Sequence, residues 1–325
     1  MRLLRIGAVV AAMLGTCFAQ LPDFYKKIGR VTWVVKSIDG PLQGWTALGL
    51  ASVKDYGEFA FEGQYRGKPV TGTARGATGY LGKLAVDMFQ PASGDNAFNA
   101  FLAAHGDGIF SIVHEVGSLD EMAKEVARMR GLGVAVLQTA SVPKGGGPIF
   151  TFFDTEPNGK YVLGLVYWPG GAPTPQVAEK VSHIAFVIRD PAPVSAYWAK
   201  LGFPAMPVAH ASPREGSRYH GKPLLLPFDV GWHKYSQPGF EWIVPPPKPS
   251  NCYADALDKH GEGVHHLGLP VDDLDEATAA YGKLGHQILQ SGGWGDDGKK
   301  NSGRYAYMDT DAIGGVTAEL IRAIN

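Results

Sequence analysis

Apolar residues in this chain recur with two periods, and the switch from one to the other marks its elements. In "VSHIAFVIRDPAPVSAYWAKLGF", starting at Val181, the period is two at first: Ile184, Phe186 and Ile188 share one face of a predicted strand, and His183, Ala185 and Val187 the other. Val194, Trp198 and Leu201 then follow near helical spacing. "GEGVHHLGLPVDDLDE", residues 261–276, repeats the plan, with Leu267, Leu269 and Val271 on the apolar face and His266, Gly268 and Pro270 opposite. Leu119, Met122, Val126 and Met129 lie at helical spacing behind Ser118, which predicts a buried helical stripe with Ser118 as its N-cap.

The plan is an internal repeat. "GDGIFSIVHEVGSLDEMAKEVARMRGLG" at 106 aligns with "GEGVHHLGLPVDDLDEATAAYGKLG" at 261, a displacement of 155 residues. "IGRVTWVVKSIDGPLQGWTALGL" at 28 aligns with the segment at 181, displaced by 153. A further strand follows each opening, as "LAVDMFQP", "YVLGLVYWP", "GFEWIVPP" and "GGVTAELI". The chain therefore holds four units of roughly 60 to 65 residues, arranged as two similar halves. The expected domains are 28–170 and 181–324, joined by the Pro- and Gly-containing linker 171–180.

Composition adds limits. With 325 residues, 45% hydrophobic and 19% charged, the chain can bury a large core. Thirty basic against thirty-one acidic residues give no bias towards nucleic acid or an anionic membrane surface. Residues 1–19 have two arginines, an apolar run too short to span a membrane, and a small-residue site ending at Ala19. They predict a secretory signal peptide and a mature chain exported to the periplasm or outside the cell, with no transmembrane segment. "LGTC" fits a lipoprotein site at Cys17 poorly, so lipidation is the lesser alternative. Cleavage after Ala19 leaves Cys252 as the one cysteine, which excludes an intramolecular disulfide.

The candidate chemistry lies in the register of the repeat. The opening-strand position carries His183 and His266, and the closing-strand position Glu241 and Glu319, at separations of 58 and 53. In the first half the same positions carry Arg30, Asp87, Ser111 and Gly164, at separations of 57 and 53. Two imidazoles and two carboxylates converging from apolar strands suit a divalent metal. Two carboxylates buried side by side cost several kcal/mol unless a cation compensates. His265 falls on the helix-facing side of its strand and is expected to pack or to bond to backbone.

These residues, with "GEGVHHLGLPVDDL" and "YMDTDAIGGVTAELI", resemble the vicinal oxygen chelate superfamily of glyoxalases, epimerases, bleomycin-resistance proteins and extradiol dioxygenases. The resemblance implies an α+β fold of two tandem modules, each of paired βαβββ units forming a cupped mixed sheet. It places His183, Glu241, His266 and Glu319 on the family's metal positions, holding one divalent ion: nickel, cobalt, manganese, zinc or iron. Arg30, Ser111 and Gly164 cannot replace those ligands and Asp87 alone cannot hold an ion. The first module is therefore expected to be a degenerate, metal-free one. Two of the ten histidines, His105 and His114, precede residue 180.

The resemblance also implies a small substrate with vicinal oxygens, bound by a monomer or homodimer. Three activities compete. A glyoxalase- or epimerase-type lyase or isomerase would move a proton through a metal-stabilised enediolate, with Glu319 or Glu241 doubling as base. Export argues against glutathione and coenzyme A substrates. An extradiol-type dioxygenase would use His183, His266 and Glu319 with non-haem iron, Glu241 being the departure. A ligand-binding protein of the bleomycin-resistance kind ranks third.

Tyr219, His220, His233 and Tyr235 are expected on a loop that could supply further donors. Residues 291–304, rich in glycine, fit a mobile lid or a plain hairpin equally, and "KGGGP" at 144 a turn.

Overall fold

The computed structural model of the chain describes residues 21–92, 94–143, 146–173, 175, 177–211, 214–296 and 298–324. The expected leader with Cys17, and Lys144 and Gly145 of the "KGGGP" turn, lie outside the described residues. The first repeat half builds β1 (Arg30–Val34), α1 (Asp39–Ala47), β2 (Ala51–Tyr65), β3 (Lys68–Leu81), β4 (Leu84–Pro91), α2 (Ala97–His105), β5 (Gly108–Val116), α3 (Leu119–Gly131), β6 (Val136–Ser141), β7 (Ile149–Phe153), α4 (Glu156–Gly159) and β8 (Val162–Tyr167). β1 lies between β4, parallel, and β5, antiparallel.

This half is a closed barrel, in the order β1-β4-β3-β2-β6-β7-β8-β5, where a cupped sheet was expected. The reason is strand length. β2 and β3 run 15 and 14 residues around a turn at Arg66 and Gly67, both at positive φ, and so β2 reaches β6 with Glu62 opposite Ser141. Five phenylalanines, Phe61, Phe98, Phe110, Phe150 and Phe152, form a buried cluster beneath α2, in ring pairs 5.2–5.9 Å apart.

The second half builds β9 (His183–Val187), α5 (Pro191–Lys200), β10 (Val208–Ala211), β11 (Arg218–Tyr219), β12 (Lys222–Pro223), β13 (Phe228–His233), β14 (Gly239–Val244), α6 (Cys252–His260), β15 (Gly263–Pro270), α7 (Leu274–Lys283), β16 (Ile288–Trp294), β17 (Ser302–Met308) and β18 (Thr317–Ile324). Its strands are ordered β10-β13-β14-β9-β15-β18-β17-β16-β11-β12. β10 has four residues and pairs with β13 alone, while β16 is taken by the short β11. The sheet therefore curls without closing, and its concave face stays open.

The convex faces of both halves share one hydrophobic cluster that runs from Trp33 and Trp45 to Phe186 and Trp198. Two tryptophans at matched repeat positions cross between the halves: Trp45 Nε1 donates to the Ile313 carbonyl and Trp198 Nε1 to that of Gly159, each at 3.0 Å. In α3, Ser118 caps the helix by accepting from the Glu121 amide, and Met122 and Met129 are buried. Leu119 departs from the expected stripe: at the first helical position it projects off the helix start and is exposed. Glu125 turns inward instead, accepting from the Tyr25 hydroxyl and pairing with Arg128. No helix among the described residues is long and apolar enough to cross a membrane.

Candidate metal centre

Four central strands of the open sheet each turn one polar residue onto its concave face. β9 supplies His183, β14 Glu241, β15 His266 and β18 Glu319, and all four are buried. Pairing sets the convergence, because Glu241 lies opposite Ala185, His266 opposite Ala185 on the other side, and Glu319 opposite Gly268. One donor atom from each residue lies within 4.8 Å of all the others. The two Nε2 atoms are 3.2 Å apart. Glu241 Oε2 is 3.4 and 3.2 Å from His183 and His266 Nε2, and Glu319 Oε2 is 3.1 and 3.2 Å from them.

Donors held about 2.1 Å from one ion stand about 3.0–3.4 Å apart along the edges of an octahedron or tetrahedron. The observed separations match that spacing. Two imidazoles facing two carboxylates can balance charge by protons on Nε2 or by a shared cation. Burial alone would lower His183, but the facing Glu241 and Glu319 outweigh it and leave it raised to about 10. His266 is raised for the same reasons, and the imidazoles hold Glu241 and Glu319 low against the opposing effect of burial. Yet Glu241 Oε2 and Glu319 Oε2 are buried and complete no hydrogen bond. Two orphaned carboxylate oxygens aimed at the same point as two imidazole nitrogens fit a divalent cation.

The surroundings hold the rings in the ligating orientation. Ser182 Oγ lies 3.0 Å from His183 Nδ1. His265 Nδ1 lies 2.8 Å from His266 Nδ1, so the partner of His265 is a neighbouring ring rather than backbone. Burial, then the charge of His266, drives His265 far below its ordinary pKa. A neutral His265 accepting at Nδ1 keeps the proton of His266 on Nδ1 and leaves its Nε2 lone pair for a cation. Gly268 lies directly under the His183 imidazole, where a Cβ would overlap the ring. Tyr307 stands opposite Glu319 in the sheet, and the Tyr253 hydroxyl donates to the Tyr307 hydroxyl at 3.0 Å. Burial raises both phenols well above their ordinary pKa, so they remain protonated.

The first half shows the same positions without such a set. Arg30 is fully buried and places Nη1 2.6 Å from both carboxylate oxygens of Asp87, which also accepts from Thr78 Oγ1 at 2.7 Å. Trp168 covers the guanidinium, its ring centre 5.0 Å from Cζ. Ser111 and Gly164 pack against each other. A guanidinium thus occupies the place that a cation would take.

Beside the four-residue cluster opens a cleft of about 1210 Å³, onto which His183, Glu241 and Glu319 face. Tyr253, Tyr305 and Tyr307 line it, and no sequence pattern singled them out. The loop residues expected as further donors do not reach it. Tyr219 bonds to Asp255, His220 is exposed, and His233 Nδ1 accepts from the Tyr235 amide at 3.0 Å. The segment 291–304 is the β16–β17 hairpin, and its Trp294, Gly295 and Asp296 border the cleft.

Residues 182–307 match the family model described as Glyoxalase/Bleomycin resistance protein/Dioxygenase superfamily. Over most of both chains the fold is similar to that of a triple mutant of 4-hydroxymandelate synthase from Streptomyces coelicolor: TM-score 0.60, 14% identity, covering 92% of this chain and 94% of that one. A halotolerant catechol dioxygenase gives TM-score 0.49 and 12% identity, covering 92% and 87%. The Mn(II)-bound glyoxalase from Novosphingobium aromaticivorans gives 0.47 and 14%, covering 92% and 83%. No curated protein sequence matches the chain.

Proposed function

We propose that this chain, whose second module belongs to the glyoxalase, bleomycin resistance protein and dioxygenase superfamily, is a divalent-metal-dependent enzyme of the glyoxalase or epimerase type. It binds two neighbouring oxygens of a small substrate and transfers a proton at the adjacent carbon. The observation that carries this reading is Glu241. Its buried Oε2 joins His183, His266 and Glu319 at 3.2–3.4 Å from the imidazole nitrogens and has no hydrogen-bond donor.

His183, Glu241, His266 and Glu319 would hold the ion, and nickel, cobalt, manganese, zinc and iron all accept such a nitrogen and oxygen set. When bound, the ion supplies Lewis acidity that steadies negative charge developing on the substrate oxygens. The chain supplies the proton transfer. Glu319 or Glu241 would double as the base that takes and returns the proton. The protonated Tyr307, held by Tyr253, borders the same space as a hydrogen-bond donor. All four donors come from one chain, so a monomer or a homodimer would serve. We also propose export, on the leader-like residues 1–19.

The same cluster contains a smaller set, His183, His266 and Glu319, which is the two-histidine, one-carboxylate arrangement of non-haem iron oxygenases. It supports an extradiol-type dioxygenase as the second reading. The two separate by their use of oxygen. Manganese- or nickel-loaded protein is expected to exchange the carbon-bound protons of hydroxyacetone for solvent deuterium without oxygen uptake. Turnover of a catechol with iron alone, consuming oxygen and with no such exchange, would establish the second reading instead.

A further inference from the structure

The strand register lays one row of residues across the concave face of the second module. Gln290 stands opposite Tyr307, Tyr307 opposite Glu319, Glu319 opposite Gly268, and Gly268 opposite His183. Partners in such a row share a face of the sheet and stand about 5 Å apart. The row therefore begins in the four-residue cluster and runs outward to Gln290, with β17 between the strands of Glu319 and Gln290. Tyr219 ends it, its hydroxyl already given to Asp255.

Gln290 is 1% exposed, and the two ends of its amide have different fates. Oε1 accepts from the Cys252 amide at 3.1 Å, which fixes the orientation of the group and satisfies one of the first N–H donors of α6. Nε2 keeps both of its N–H donors without a partner among the described residues, on a side chain that lines the cleft. The first module carries the same residue at the matched place. Gln138 accepts from the Ala97 amide at 2.7 Å at the start of α2, and its Nε2 is buried without a hydrogen bond. Tying a helix start to the sheet is thus common to both glutamines and accounts for Oε1. It does not account for Nε2, and there the modules differ. Phe152 stands opposite Gln138 in the closed barrel, whereas Tyr307 stands opposite Gln290 in a polar row that leads to the cluster. A buried donor that faces a cleft and has no acceptor on the protein selects for an acceptor on the ligand.

We infer that Gln290 is a specificity-determining residue of this site, its Nε2 donating to a carbonyl-type oxygen of the substrate about two strand spacings, roughly 10 Å, from Glu319. This rests on the metal-dependent reading above and holds for either of its two reactions. The substrate so selected is long enough to carry a second acceptor well beyond its vicinal oxygens. Compounds as short as hydroxyacetone do not reach Gln290, although they remain usable as probes of proton exchange.

Calorimetric titration of the manganese-loaded full chain with two neutral hydroxamates, 6-oxoheptanohydroxamate and heptanohydroxamate, tests it. Both chelate through two neighbouring oxygens and have the same carbon chain, and the first alone carries an acceptor near its far end. The wild type is expected to bind the keto probe about tenfold more tightly than the alkyl one. Gln290→Glu keeps an oxygen for the Cys252 amide and removes the donor, so it should abolish the preference. Gln290→Met removes the helix tie as well and should abolish it too. Equal binding of the two probes by the wild type overturns the inference. So does a preference that survives in Gln290→Glu and is lost only in Gln290→Met, which would leave Gln290 a helix tie alone. Binding of both probes that is unchanged when manganese is omitted breaks the metal-dependent reading itself, and the inference falls with it.

Discussion

His105 and His260 exchange hydrogen bonds with each other's backbone: Nδ1 of each meets the carbonyl of the other, at 2.7 and 2.8 Å. Their Nε2 atoms each lie 2.7 Å from a carboxylate, Glu156 for His105 and Asp311 for His260. An acceptor at both nitrogens of each ring favours the doubly protonated form. The two sit at the C-terminal ends of α2 and α6, one repeat apart, and clasp the two modules to each other.

The clasp predicts a stability loss on the alkaline side. Hydrogen bonds from Glu156 and Asp311 raise both imidazoles above their ordinary pKa, against the opposing effect of burial. The stabilisation is therefore fully present below about pH 6.5 and is lost as pH rises through the raised values. Lys259 also pairs with Asp311, and Lys160 pairs with Glu262 nearby. Both rings keep about a fifth of their surface in solvent, which limits each to about 1 kcal/mol. Thermal melts of His105→Gln/His260→Gln across pH should show a shallower alkaline slope than the wild type, the raised His183 and His266 supplying the remainder.

His114 predicts the opposite slope on the acid side. It is fully enclosed, bonds through Nδ1 to the Lys27 carbonyl at 2.8 Å, and leaves Nε2 without a partner. Burial lowers it to about 4. Between about pH 6.5 and 4 the unfolded chain binds a proton that the folded one refuses, so stability falls as pH falls through that window. The full effect is about 3 kcal/mol. Denaturant titrations of His114→Gln should show a shallower acid slope than the wild type.

Arg30 is predicted to matter for folding and not for metal. Arg30→Ala leaves Asp87 buried without its guanidinium and should cost about 3–5 kcal/mol. Arg30→Met with Asp87→Leu should recover most of that loss. Metal content per folded chain should equal that of the wild type in both variants.

Two neighbours of the cluster should act through its rings alone. Gly268→Ala drives a methyl group into the His183 imidazole, and His265→Phe removes the acceptor that keeps the His266 proton on Nδ1. Each should weaken metal binding by about 10–100-fold, read by competition with a chromophoric chelator, while the melting temperature of the metal-free protein changes little for His265→Phe.

Much of the site was legible because polar residues interrupt strands whose alternation is otherwise apolar, and because the repeat compares each position with itself. His183, Glu241, His266 and Glu319 stand out in that comparison, as Arg30 and Asp87 do in the other half. The same device applied one residue earlier would have found the clasp, since "HGDG" and "HGEG" place His105 and His260 immediately before the aligned segments. The cupped sheet of the second half is the one the resemblance implied, but the closure of the first half was not legible. It depends on whether a second strand is long enough to reach the sixth, as β2 does and β10 does not, and both stretches show turn-rich, half-polar sequence. Tyr253 and Tyr307 were missed because a tyrosine in a helix or a strand looks like core until its hydroxyl has a partner. Leu119 fits the helical stripe by spacing, and only its place at the first turn exposes it.

The central claim is that His183, Glu241, His266 and Glu319 hold one divalent ion. Elemental analysis of the full chain, purified without chelators, beside His183→Ala and Glu241→Ala tests it most directly. One equivalent of a divalent transition metal in the wild type, lost in both variants, is the result expected. No metal in the wild type, or equal metal in all three proteins, would contradict it.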